Sequence, residues 1–123
     1  THCYLVESDS RKAAFLSAVI RETKAPATVL NQRIEAVNGD ALPKIDFITA
    51  RALAPLPKLL SLSARFFDSS TIALFPKGEN WQQELTQARQ YWTVSYELHE
   101  SATYADARII AITQLLPRAL ENV

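Results

Sequence analysis

Tyr4-Leu-Val-Glu-Ser-Asp-Ser-Arg-Lys-Ala-Ala-Phe-Leu16 reads as a short apolar strand, a carboxylate at its carboxyl end and the start of a helix. Tyr4, Leu5 and Val6 are strand formers without polar alternation, the pattern of a buried parallel strand. Asp9 or Ser8 can cap the helix, and Phe15, Leu16, Val19 and Ile20 have the spacing of one helical face. Glu7 then falls beyond the strand end, where open α/β sheets bind ligands and an acid accepts hydrogen bonds from ribose hydroxyls. A solvated loop carboxylate is the plain alternative.

The rest of the chain repeats this alternation, which predicts an α/β fold with a mainly parallel sheet. The first strand, residues 3–6, leads to a helix over residues 10–23, ended by Lys24-Ala-Pro26 because Pro disfavours helix in the residue before it. Thr28-Val-Leu30 is a second strand, Arg33-Ile-Glu-Ala-Val37 at most one helical turn, and Ile45-Asp-Phe-Ile-Thr49 a third strand. Pro55 and Pro57 suit the first turn of the next helix. Its core face is Leu56, Leu59, Leu60, Ala64 and Phe67. Asp68-Ser-Ser70 turns into a fourth strand, residues 71–75, which Pro76-Lys-Gly78 closes. A polar helix over residues 79–90, anchored by Trp81, Leu85 and Ala88, is expected to cover a sheet edge. Residues 92–99 and 108–113 form a terminal antiparallel hairpin, and residues 115–123 a tail.

The 123 residues make one domain at most, residues 1–123, and 48% hydrophobic with 21% charged content excludes a disordered tail. Lys plus Arg and Asp plus Glu number 13 each, so no global field draws the chain to nucleic acid, although a local basic site is allowed. Cys3 is the only cysteine, which excludes an internal disulfide and a zinc ribbon and points to a reducing, cytoplasmic location. His2 and His99 lack metal-ligand spacing, so no metal is expected. No apolar run approaches a membrane span. The chain lacks methionine and opens at the edge of a strand, which reads as a processed chain or a fragment without upstream sequence.

Four stretches, Leu5–Leu16, Gln32-Arg-Ile-Glu35, Asp46-Phe-Ile-Thr-Ala-Arg-Ala-Leu-Ala54 and Phe75-Pro-Lys-Gly78, resemble in order and spacing the bacterial 16S ribosomal RNA guanine-N7 methyltransferases, the glucose-inhibited division protein B family. The Thr-Ala-Arg-Ala-Leu-Ala run followed by a Lys-Gly strand exit is the most specific part. The resemblance implies a class I, Rossmann-like fold that binds S-adenosyl-L-methionine and acts on 16S ribosomal RNA or the small ribosomal subunit. By that resemblance Glu7 holds the ribose, Arg33, Ile34 and Glu35 surround the adenine, and Thr49 and Arg51 lie beside the methionine moiety and the guanine. Lys77 and Arg108 then face RNA phosphates or the base, with Arg51 and Lys77 closest to the chemistry. Asp68-Ser-Ser70 stands where the family has Pro-Gly-Gly. The family's first strand and Gly-rich loop are missing, and only Gly39 and Gly78 occur in the chain. An amino-terminally truncated domain of this kind is expected to bind cofactor weakly, to be silent alone, and to dimerise through open strand edges.

Methylation of guanine N7 needs little acid–base help, because N7 already carries an in-plane lone pair; alignment is the enzyme's main task. Arg51, set among Ala50, Ala52 and Ala54, has room to present its fork to a base or phosphate, or else pairs with Asp46 or Glu35. Lys77 has the alternative of a solvated loop lysine, and Arg33 with Glu35 that of a local ion pair. Arg11, Lys12, Arg21 and Lys24 make one side of the first helix basic, a face that is ordinarily just solvated. Trp81, Tyr91 and Trp92 suit packing better than base stacking, and Tyr104 is a weak candidate near substrate. The competing function is a non-catalytic α/β module that binds a nucleotide or a protein; a dehydrogenase-type domain lacks its phosphate-binding glycines.

Overall fold

The structure, a computed structural model, describes residues 1–50, 53–102 and 105–118. The chain divides into two units, Thr1–Ala41 and Leu42–Val123. In the first unit, strand β1 (Cys3–Val6) is followed by helix α1 (Ser10–Thr23) and strand β2 (Ala27–Leu30). The Asp9 carboxylate caps α1 by accepting from the backbone N–H groups of Arg11 and Lys12 at 2.9 and 3.2 Å, which satisfies two donors that the helix start leaves open. Lys24 ends the helix in a left-handed conformation, φ 55°. β1 and β2 pair in parallel, Val6 opposite Leu30.

Helix α1 corrects the sequence expectation on its buried face. Ala13 is buried and Leu16 and Ile20 are half-buried, whereas Phe15 and Val19 are 67% and 39% exposed. The reason is width: the unit's sheet has two strands. Such a sheet shelters the narrow Ala13–Leu16–Ile20 seam but not a full apolar face.

The second unit is built on a four-stranded sheet ordered β3-β4-β6-β5. Its strands are β3 (Phe47–Thr49), β4 (Ile72–Lys77), β5 (Trp92–Glu100) and β6 (Arg108–Pro117). β3 and β4 are parallel, while β6 runs antiparallel to both β4 and β5. Helices α2 (Leu56–Ser63) and α3 (Trp81–Ala88) cover one face. Leu56, Leu59 and Leu60 of α2 and Leu85 and Ala88 of α3 close over Ala73, Phe75, Ile110 and Ile112. Helix α3 therefore joins the core on the sheet face rather than shielding an edge, because its anchors Leu85 and Ala88 are buried there.

Three strand readings are corrected. β3 starts at Phe47, but Ile45 and Asp46 are still tied down: the Ile45 carbonyl accepts from the buried Thr71 hydroxyl at 2.7 Å, and the Asp46 carbonyl from the Ile72 N–H at 2.9 Å. β6 runs on to Pro117, so Leu115 and Leu116, expected in a tail, face Val94 and Thr93. A register shift opposite Ser95 and Tyr96 leaves Thr113 as the extra residue. A bulge of this kind resets the in–out alternation and makes one long strand read as a strand plus a tail. β4, expected over residues 71–75 and closed by Pro76, runs from Ile72 through Pro76 to Lys77; Pro76 is tolerated because β3 stops at Thr49, opposite Leu74, so no ladder bond to that neighbour is lost. Among the described residues no helix is long and apolar enough to cross a membrane.

Candidate functional site

In the first unit the carboxyl ends of β1 and β2 point the same way and carry the first group of candidates. The Glu7 backbone N–H donates to the Leu30 carbonyl at 3.0 Å, extending the ladder by one residue. Its half-buried side chain then lies just past the strand end, with the Asp9 N–H 3.5 Å from the carboxylate. That contact is long, so the carboxylate keeps acceptor capacity for an added donor such as a hydroxyl. Beyond β2, Gln32 donates its N–H to the Leu30 carbonyl at 2.9 Å. Exposed Arg33 leads into a single 3-10 turn, Ile34–Ala36, which also carries Glu35. The expectation of at most one helical turn here holds. Glu7 and the segment holding Arg33, Ile34 and Glu35 thus occupy one end of the β1–β2 pair.

In the second unit Thr49, Lys77 and Arg108 share the corresponding end of the four-stranded sheet. Thr49 closes β3 opposite Leu74 and is exposed. Lys77 and Arg108 face each other across β4 and β6. Arg108 donates from Nη1 to the carbonyls of Ala105 and Ala107, both at 2.8 Å, so part of its guanidinium holds the loop before β6. Arg51 and Tyr104 lie outside the described residues.

Lys77 departs from both arrangements that the sequence suggested. Its side chain is 9% exposed, so it is not a solvated loop lysine. Nor does its ammonium stand free toward a substrate: Nζ donates to the Ala54 carbonyl at 2.8 Å and lies 3.0 Å from Glu84 Oε1. The same Glu84 oxygen accepts the Leu56 N–H at 2.8 Å. Pro55, at the cap position of α2, supplies no side-chain acceptor, so the Glu84 carboxylate caps the helix from outside, where its charge also suits the helix dipole. Glu84 is the residue that sequence reasoning missed. The signal was present: Trp81, Glu84, Leu85 and Ala88 have the i, i+3, i+4, i+7 spacing of a buried stripe, and an acid on such a stripe needs a partner.

An Asx-type turn precedes β4. The Asp68 carboxylate accepts from the Ser70 N–H at 2.8 Å and the Ser70 hydroxyl at 3.0 Å, and the Thr71 hydroxyl, whose proton goes to the Ile45 carbonyl, lies 3.1 Å away. These bonds, the Ser70 N–H foremost, hold the Asp68 carboxyl below its ordinary value of 3.8.

Parallel strands joined by helices, candidate residues at the strands' carboxyl ends and a final antiparallel strand define the fold of class I S-adenosylmethionine-dependent methyltransferases. Solved structures share it. One from the fibrillarin/Nop5p complex superposes with a TM-score of 0.66 at 12% identity, over 89% of this chain and 59% of that one. A MtNAS mutant in complex with S-adenosylmethionine gives 0.65 at 15% identity, over 89% and 44%. More narrowly, the family model of rRNA small subunit methyltransferase G, GidB, matches residues 1–112, and the chain belongs to that family. The ribosomal RNA small subunit methyltransferase G of Methylorubrum populi is 50% identical over 114 residues, covering 93% of this chain and 54% of the relative. The chain spans about half the length of the curated relatives it matches.

Proposed function

We propose that this chain belongs to a cytoplasmic enzyme that transfers a methyl group from S-adenosyl-L-methionine to N7 of a guanine in 16S ribosomal RNA of the small subunit. The family match over residues 1–112 carries this reading. The donor set fits the cofactor by its chemistry. Glu7 offers a carboxylate with spare acceptor capacity for vicinal ribose hydroxyls. The turn Ile34–Ala36 offers the apolar side chains of Ile34 and Ala36 and a run of backbone groups suited to an adenine edge, with Arg33 before it and Glu35 within it. When bound, S-adenosylmethionine supplies an electrophilic methyl group on a positively charged sulfur.

This chain's residues bind and orient. Thr49 presents an exposed hydroxyl at the end of β3, assigned here to the methionine moiety. Arg51 is assigned to the guanine or an adjoining phosphate, for which a planar fork is the apt shape, and Arg108 to RNA phosphate. Deleting the gene that encodes this chain and digesting 16S ribosomal RNA for mass spectrometry tests the function. One 7-methylguanosine is expected to disappear and to return with the gene. An unchanged modification profile would refute the reading.

A further inference from the structure

We propose that Lys77 is a positioning residue that, together with Glu84, fixes the loop leading into α2, rather than a residue that touches RNA. This rests on the methyl-transfer reading above. The described part of the loop that leads into α2 is residues 53–55, and candidates Thr49 and Arg51 precede it in the chain. Its far end is fastened at two neighbouring points: the Ala54 carbonyl accepts from Lys77 Nζ at 2.8 Å, and the Leu56 N–H donates to Glu84 Oε1 at 2.8 Å. Lys77 and Glu84 are joined at 3.0 Å, with side chains 9% and 21% exposed.

The junction ties four parts of the unit together: the exit of β4, the first turn of α3, the amino end of α2 and the loop. Each partner has a reason to stay. Without Lys77, Glu84 is an unpaired anion on a mostly buried stripe; without Glu84, Lys77 is a cation with little water, and the first N–H of α2 loses its acceptor. Lys77 has three N–H donors, and the junction engages it on two sides. A phosphate contact would have to draw the ammonium away from Glu84. The arrangement therefore acts on the loop's position, and an error of about 1 Å in a positioning element can slow chemistry by about 10²-fold.

The test uses the protein at its natural length, comparing wild type with Lys77→Met, Lys77→Arg and Glu84→Ala. Amide hydrogen exchange at Leu56 is expected to accelerate about 10–100-fold in Lys77→Met and Glu84→Ala, while exchange at Ile110 in the core is unchanged. In methyl transfer to small-subunit RNA, kcat falls about 10²-fold in both, KM for the cofactor stays within about twofold, and Lys77→Arg recovers part of the rate because it keeps the charge and the donors. The slope of log affinity for RNA against log salt stays unchanged in Lys77→Met. A slope reduced by about 1 would identify a direct phosphate contact and overturn the proposal, as would an unmoved Leu56 amide in an active protein. A wild-type protein that transfers no methyl group would instead overturn the methyl-transfer reading, and this proposal with it.

Discussion

Phe75 and Phe47 lie on neighbouring strands of one sheet, yet they should respond to truncation very differently. Phe75 is 1% exposed, among Leu56, Leu60, Leu85 and Ile110, whereas Phe47 is 65% exposed on β3. Phe75→Ala removes a fully buried ring and leaves a cavity between sheet and helices, at a cost of about 3–5 kcal/mol. For Phe47 about a third of the ring's burial energy is at stake, which puts Phe47→Ala below about 1 kcal/mol. Native domains hold about 5–15 kcal/mol in total, so the first change removes a large part of the stability and the second little. Both tryptophans, Trp81 and Trp92, sit in the second unit against its core, so their fluorescence during urea unfolding reports that unit. With a slope of about 2 kcal/mol/M, Phe75→Ala should lower the midpoint by about 2 M, and Phe47→Ala by less than about 0.5 M. Equal losses at the two positions would contradict this burial pattern, because Phe47 would then have to be covered.

Two further outcomes follow from the same structure. The bonded Asp68 carboxyl sits below its ordinary value of 3.8, so the folded state favours its ionised form. Its contribution is therefore fully present above that value and is lost as pH falls through the depressed one. The stability gap between wild type and Asp68→Ala should accordingly be constant from neutral pH down to about 5 and close in stronger acid; a gap that widened on acidification would contradict the turn as described. β1 is paired with β2 alone and β3 with β4 alone among the described residues, so the isolated chain is expected to self-associate through open edges. Light scattering should show mass rising with concentration, and a sharp monomer at every concentration would exclude that association.

Local chemistry made much of the fold legible. Helix α1 was bounded from sequence because Asp9 is a capping residue and Pro26 forbids continuation, and the order of strands and helices followed from apolar runs and turn residues. What escaped depended on distant partners. Phe15 and Val19 belong to an apolar face by spacing, but the two strands available shelter only part of it. The length of β6 was hidden by a bulge at Thr113 that no local residue announces. The placement of the candidate residues at strand ends, Glu7 and Thr49 among them, was legible. The inward turn of Lys77 was not, because it depends on Glu84, whose half-buried position shows only when α3 is read as a stripe rather than by composition.

The role proposed for Glu7, held past the end of β1, is to accept the ribose hydroxyls of an adenosyl cofactor. Calorimetric titration with S-adenosylhomocysteine, of wild type and Glu7→Ala side by side, tests it most directly. Weak, saturable binding by the wild-type chain is expected, with a loss of about 10-fold or more in affinity in the variant, the worth of hydrogen bonds to a charged acceptor. Undiminished binding by a folded Glu7→Ala chain, or no binding by a folded wild-type chain, would contradict it.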